Sequence, residues 1–184
     1  MTGLVARMLR AAQLDAALYE EVEADHRAHW QATTVVVLSS LAAGVGSRGS
    51  GMPGGVVATT LAALLGWYIW AYLTYLVGTR WLPEPQTEAD WGQLLRTIGF
   101  SSAPGVLRVV GIVLPGPSLT GVVFLIVAVW MLMAMVVAVR QALDYESTTR
   151  AMGVCAIGWV IYLVVSSVLL GLLRRVPLST LTSP

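Results

Sequence analysis

Residues 96–118 read RTIGFSSAPGVLRVVGIVLPGPS and place Arg108 inside an apolar segment that is flanked by long uncharged ones. An arginine at the centre of an inserted helix costs about 3 kcal/mol, so its guanidinium needs a compensating contact. Pro104 and Pro115 bound the segment. A helix between them rises only about 18 Å, at about 1.5 Å per residue, whereas the hydrocarbon core is about 30 Å thick. The stretch therefore predicts a short third segment that cannot cross the membrane unaided.

The composition of the whole chain indicates a membrane protein. Of its 184 residues, 57% are hydrophobic and 11% are charged, and the mean hydropathy is +0.75. A soluble domain of this length could not bury so much apolar surface, so lipid must cover part of it. The formal net charge is only +1 and the chain has no lysine, which argues against a nucleic-acid partner.

The long apolar stretches predict an all-α, polytopic fold with five transmembrane segments. Their predicted ranges are 31–47, 56–79, 103–114, 119–139 and 151–173. If the segment around Arg108 were re-entrant, four spans would remain, and the distribution of arginines near the span ends does not decide between the two counts. The predicted division is a charged, cytoplasmic N-terminal segment over 1–30, a transmembrane domain over 31–175 and a short tail over 176–184.

Two amphipathic stretches predict helices that lie on the membrane surface. In residues 4–12, apolar side chains share one face and Arg7 and Arg10 lie on the opposite face, where they would meet anionic headgroups. The second stretch follows Thr87-x-x-Asp90, which resembles a capping box, and its apolar residues recur at helical spacing from Trp91 to Ile98. We therefore expect the lipid bilayer, and anionic lipids in particular, to be a partner.

The candidate polar site combines Arg108 with Tyr68, Tyr72 and Tyr75, which form a stripe on the second predicted span. The stripe could line a polar cavity, or it could pack between helices or belong to an interfacial aromatic belt. Glu23 and His26 have the spacing of one half of a carboxylate-bridged metal site, but no second copy exists. We expect no catalytic residue, no cofactor and no metal.

Three stretches together resemble a bacterial member of the Yip1 family of integral membrane proteins. They are ALYEEVEAD from residue 17, GFSSAPG from residue 99 and MVVAVRQALD from residue 135. Gly99, Phe100 and Pro104 are similar to the family's Gly-Tyr-x-x-x-Pro motif with Phe in place of Tyr, whereas the Asp-Leu-Ala-Gly-Pro-Leu motif of eukaryotic members is not found. The resemblance implies five spans, a cytoplasmic N-terminus, an outward C-terminus and a bacterial inner membrane.

The functional hypothesis from the sequence is a non-enzymatic protein that organises the membrane or scaffolds other membrane components. It could act as a homo-oligomer or with other membrane proteins. The alternative is a small transporter or channel for an anionic solute or lipid that uses Arg108. An enzyme is the least favoured class, because the sequence has no nucleophile set, metal-ligand cluster or phosphate-binding loop.

Overall fold

The computed structural model describes residues 3–47 and 55–175, and within these ranges every regular element is helical. The all-α prediction is therefore confirmed, while the predicted tail over 176–184 lies outside the described residues. The elements are α1 (Leu4–Ala12), α2 (Ala16–Ala24), α3 (Ala28–Gly46), α4 (Gly55–Leu76), a π-helical segment (Val77–Trp81), α5 (Trp91–Ser101), a 3₁₀ segment (Ala103–Ile112), α6 (Pro117–Ala142) and α7 (Thr148–Arg175).

Among the described residues, one helix is long and apolar enough to cross a membrane. It is α6, Pro117–Ala142, and a shorter apolar helix covers Thr148–Val164 within α7. Helix α6 begins with Pro117, whose missing N–H is not needed at a helix start, after Gly116 with a φ of 81°. The prediction of five spans is not confirmed by these lengths and stays a prediction.

The middle segment differs from its prediction, because residues 103–112 form a 3₁₀ helix rather than an α-helix. A 3₁₀ helix has about three residues per turn, so Gly105, Arg108 and Gly111 share one face. This face lies against α3: a Cβ built on Gly105 would collide with the Ser39 hydroxyl, and one built on Gly111 would collide with the carbonyl of Gly46. The two glycines thus let the segment pack at backbone distance on α3.

Helix α5 and the 3₁₀ segment follow α3 in the same direction. Gly99 meets Ala32, with 2.7 Å from a built Cβ to the Ala32 Cβ, and the contacts at Gly105 and Gly111 follow further along α3. The stretch from Ala32 to Gly46 rises about 21 Å as an α-helix. The stretch from Gly99 to Gly111 rises about 22 Å, since most of it is 3₁₀ helix with about 2 Å per residue. Because the two segments rise by nearly the same length, their close contacts stay in register from one end to the other.

The prediction that α5 lies on the membrane surface is wrong. Its residues from Leu94 to Ser101 are all buried, and the helix contacts α2, α3, α4 and α6. Only Trp91, at the start, keeps 42% of its surface exposed. The helix begins one turn later than predicted, because the capping box is formed by Asp90 and Gln93. Amphipathic spacing identified the helix, but neighbours cover its polar side too, where the buried Arg96 donates to the backbone carbonyls of Val22 and Glu23.

The predicted orientation of α1 is also wrong, because its arginines face the protein. The Arg7 guanidinium donates to Glu21 at 2.9 Å, to Asp25 at 3.0 Å and to Gln31 at 2.8 Å, and only 8% of the side chain is exposed. Arg10 pairs with Asp15 at 2.7 Å and with Glu21 at 2.6 Å. We call this network the N-terminal clamp. It joins α1, α2 and the start of α3 by charge-assisted hydrogen bonds.

The clamp shifts the pKa of its carboxylates and turns the apolar side of α1 outward. The hydrogen bonds from Arg10 lower the pKa of Asp15, and those from Arg7 lower the pKa of Asp25. Val5 and Leu9 remain 69% and 59% exposed. Helix α1 is therefore amphipathic as predicted, but its charged face is internal; Val5 and Leu9 face outward, while Leu4 and Met8 pack partly buried against the core.

Loops between the helices close the end of the molecule where α4 and α6 stop. The Tyr145 hydroxyl lies 2.9 Å from the carbonyl oxygen of Gly78 and 2.7 Å from that of Leu82, at the two ends of the π-helical segment. Burial raises the pKa of Tyr145 to about 12. This contact ties the loop after α6 to the end of α4, where the π-helical turn leaves carbonyls for a side chain.

Candidate binding cavity around Arg108

The backbone of Arg108 packs closely on α3, and its side chain has no hydrogen-bond or ion-pair partner among the described residues. The backbone carbonyl of Arg108 packs against Gly46, where a side chain would not fit. Its guanidinium carbon lies 5.6 Å from the centre of the Phe124 ring, which is a cation–π contact with α6. The Nε atom is buried and has no hydrogen-bond partner among the described residues.

A cavity of about 510 Å³ opens beside Arg108, between α3, α4, α5, α6 and α7. Its described lining contains no acidic residue. Most of the wall is apolar, and the polar and aromatic positions are Ser39, Ser40, Trp67, Trp70, Ser101, Ser102, Arg108, Trp159 and Tyr162. The cavity therefore combines one cation with an apolar wall.

A second nitrogen donor beside the cavity also lacks an acceptor among the described residues. The indole Nε1 of Trp70 is buried and unpaired within the described part of the chain, and Trp70 lines the same cavity as Arg108. An indole N–H can only donate, and so can a guanidinium. A buried donor without a partner is uncommon in a folded protein and points to a missing acceptor.

The predicted tyrosines do not join Arg108, since none of Tyr68, Tyr72 and Tyr75 lines the cavity. Tyr68 and Tyr72 pack edge to face on Trp91, with ring centres 6.0 and 6.1 Å apart. The Tyr68 hydroxyl lies 3.4 Å from Nε2 of His29. Tyr75 packs partly buried against the core. The predicted site thus divides into an Arg108 cavity and a separate aromatic cluster on the outside of α4.

The sequence analysis missed Trp70, Tyr162 and the serines of α3 as lining residues. Helical spacing alone could have paired Trp70 with Gly66 on one face of α4, but nothing in the sequence shows which face of a uniformly apolar helix turns inward. The contact between the Trp70 and Tyr162 rings, with centres 6.0 Å apart, joins α4 to α7 and exists only in the packed bundle.

The motif Gly99, Phe100 and Pro104 has a packing role at the entrance to the 3₁₀ segment. Gly99 allows the close approach of α3 and of the Trp67 ring, which would lie 3.1 Å from a Cβ at this position. Phe100 is fully buried. Pro104 is also buried, one residue after the start of the 3₁₀ segment, where it cannot donate the N–H of an α-helical turn. The motif sets the path that brings Arg108 to the cavity.

A helical bundle that contains one helix long and apolar enough to cross a membrane, with an arginine at an open cavity, fits the class of helical membrane proteins. A family model described as the Yip1 domain matches residues 16–169, which is most of the chain. The chain therefore belongs to the Yip1 domain family, which confirms the family seen in the sequence, while its bacterial origin stays a prediction. Comparison with curated proteins gives no match, and comparison with solved structures gives none either.

Proposed function

We propose that this protein is a five-span inner-membrane protein with a cytoplasmic N-terminus, which organises the surrounding membrane or scaffolds other membrane components without catalysing a reaction. The observation that carries the proposal is the outward position of two apolar side chains of α1, whose arginines face the protein. Its charged face is bound by the clamp, whereas Val5 and Leu9 are exposed. A helix fixed in this way presents an apolar edge that lipid can cover.

The length of the middle segment supports five spans. Helix α5 has 11 residues and the 3₁₀ segment has 10. Laid end to end they would rise about 36 Å, at about 1.5 and about 2 Å per residue. A hydrocarbon core of about 30 Å is within this reach. The third span would then be α5 and the 3₁₀ segment together, rather than the short predicted helix alone.

Exposed aromatic side chains support a membrane boundary near the start of α3. Trp30 is 77% exposed, and Tyr68, Tyr72 and Trp91 are exposed around the neighbouring His29. Trp and Tyr concentrate where a helix passes from lipid to headgroups. Exposed charged residues directly before α3 agree with a boundary at this level.

Helix α1 is supported as an element that contacts lipid. The Trp130 indole donates to the carbonyl of Ala12 at 2.7 Å, and Trp130 lies near the middle of the apolar α6. This contact sets the end of α1 against a lipid-facing helix. Because α5 is buried in the bundle, α1 is the one of the two predicted interfacial helices that can act on the bilayer.

The test is the shape of vesicles that contain the purified protein. We expect wild-type protein to reduce the mean vesicle diameter, and a double variant with Val5→Ser and Leu9→Ser to lose most of that reduction, as measured by electron cryomicroscopy at equal protein density. The matched control is Val109→Ser with Val110→Ser, which removes two valines exposed at 41% each from the 3₁₀ segment. Equal diameters for all three proteins would contradict the proposed role of α1.

The alternative function is a small transporter or channel for an anionic solute or lipid, and the cavity beside Arg108 is the observation that favours it. The tyrosines that were expected to continue the path lie elsewhere, so a path would have to use other residues. Flux of an anion or a lipid through proteoliposomes that disappears in Arg108→Leu would favour this alternative over the first function.

A further inference from the structure

We propose that the Arg108 cavity binds an amphiphile whose head is an oxyanion, either a phosphate or a carboxylate, and whose tail is an apolar chain. This site is separate from the outer face of α1. The inference therefore goes beyond the role proposed for α1 and deepens the alternative function at the same cavity; binding and flux are measured separately, so either one can fail without the other.

The head of the ligand follows from two of the three buried polar groups that lack a partner among the described residues, the two that belong to residues lining the cavity. The Nε of Arg108 and the Nε1 of Trp70 are both buried and unpaired among the described residues, and both residues line the cavity. The lining serines carry no charge that could balance the guanidinium, and neither nitrogen donates to a serine hydroxyl among the described residues. A ligand that satisfies an arginine and an indole must bring acceptor oxygens, and one that balances the guanidinium charge must be an anion.

An oxyanion fits a guanidinium better than a spherical anion does. The planar fork of arginine can give two parallel N–H···O bonds to one phosphate or carboxylate group. The Phe124 ring lies against the guanidinium carbon and so occupies part of its surroundings without accepting a conventional hydrogen bond. The N–H edge is therefore the part of Arg108 that an oxyanion would contact.

The tail follows from the size and the wall of the cavity. Its volume of about 510 Å³ is much larger than an inorganic phosphate or a carboxylate group requires. Pockets for small molecules commonly have about 300–1,000 Å³ and a mainly apolar lining. Val36, Ile98, Met131, Leu132 and Met135 supply such a lining here, and methionine adapts well to a flexible chain.

The experiment measures equilibrium binding of radiolabelled lysophosphatidate to the full-length protein in phosphatidylcholine nanodiscs. Parallel titrations use palmitate and inorganic phosphate. We expect lysophosphatidate and palmitate to bind wild-type protein. Arg108→Leu should weaken both by at least tenfold, and Arg108→Lys should recover only part of the loss, because lysine keeps the charge without the fork.

Two further variants keep the result interpretable. Trp70→Phe removes the second donor but keeps an aromatic side chain, and we expect three- to tenfold weaker binding. Arg80→Leu is the matched control, because Arg80 is an exposed arginine outside the cavity, and its binding should equal that of the wild type. If Arg108→Leu fails to fold, as judged by gel filtration and circular dichroism, Arg108→Lys and Trp70→Phe decide the question.

Three outcomes would overturn the proposal. Absence of saturable binding of both amphiphiles to wild-type protein rejects the site. Binding that is unchanged in the cavity variants places the amphiphile elsewhere on the protein. Inorganic phosphate that binds as tightly as lysophosphatidate, with the same dependence on Arg108, identifies a site for a free anion and rejects the apolar tail.

Discussion

Arg7 and Arg108 are both enclosed by the helical bundle, but the protein provides for them in opposite ways. Arg7 has two carboxylates and an amide within 3.0 Å. Arg108 has an aromatic ring, a cavity and an unpaired Nε. Carboxylates of the protein itself offset the cost of burying the Arg7 charge. For Arg108, an anion from outside the protein could offset that cost. The difference separates an arginine that holds helices together from one that is available to a ligand.

The largest expected effect tests that difference directly through stability. Removing one partner from a buried ion pair costs about 3–5 kcal/mol. Since Glu21 and Asp25 keep 34% and 32% of their side chains exposed, we expect Arg7→Leu to lose about 3 kcal/mol, at the lower end of that range. Arg108→Leu should change stability by less than about 1 kcal/mol or raise it, because Arg108 has no ion pair among the described residues.

The measurement is denaturant unfolding in detergent micelles without added amphiphile. Arg27→Leu is the control for Arg7, since Arg27 is an exposed residue next to the start of α3. A loss of similar size in Arg7→Leu and Arg108→Leu would remove the distinction between the two arginines.

We expect a smaller loss of stability from a substitution in the 3₁₀ segment, where the backbone near Arg108 contacts α3. Gly111→Ala would push a Cβ into the backbone of Gly46, which cannot move aside as a side chain would. Overpacking of this kind typically costs about 1–3 kcal/mol, and we expect about 2 kcal/mol here, together with weaker amphiphile binding. Gly121→Ala is the matched control, because nothing lies within 4 Å of a Cβ built there.

The control substitution should leave stability unchanged or raise it by up to about 1 kcal/mol, as alanine is the better helix former. If Gly111→Ala were as stable as Gly121→Ala, the close packing of the 3₁₀ segment on α3 would be wrong. The path that carries Arg108 to its cavity would then need another explanation.

The smallest expected effect concerns the pH dependence of stability at α2, next to the clamp. Burial, with the nearby charge of Asp144 as the next cause, raises the pKa of Glu23 from 4.5 to about 7. The folded protein therefore holds this proton more tightly than the unfolded chain. The resulting stability is fully present below pH 4.5 and is lost as the pH rises to about 7.

Because Glu23 is only about half buried, solvent screening limits the effect to about 1 kcal/mol. We expect Glu23→Gln to flatten this part of the profile when unfolding is measured between pH 4 and pH 8. The clamp carboxylates of Asp15 and Asp25 have lowered pKa values, so their contribution changes only at more acidic pH. A variant that keeps the wild-type slope would show that another group titrates in this window.

The helices and the family could be predicted from the sequence, but the contacts at the candidate site could not. Apolar length and helical spacing indicated α3, α4, α6 and α7, and the stretch from Gly99 to Pro104 indicated the family. Periodicity failed at α1 and α5, because it reports that a helix has two faces without reporting what covers each face. The clamp on Arg7 needs carboxylates 14 and 18 residues away, which helical spacing does not relate to it.

The sequence by itself determined a helical membrane protein with an arginine in an apolar segment, whose charge needs a compensating contact. Composition and uninterrupted apolar length show this because they depend only on local chemistry. Only the tertiary structure decided that Arg7 pairs with carboxylates and that Arg108 lies at a cavity without an acceptor for its Nε among the described residues. That choice depends on the rotation of each helix about its axis and on the close approach of α3 to Gly105 and Gly111. Both are set by packing between distant parts of the chain, which places Trp70 and Arg108 around one cavity although 38 positions separate them.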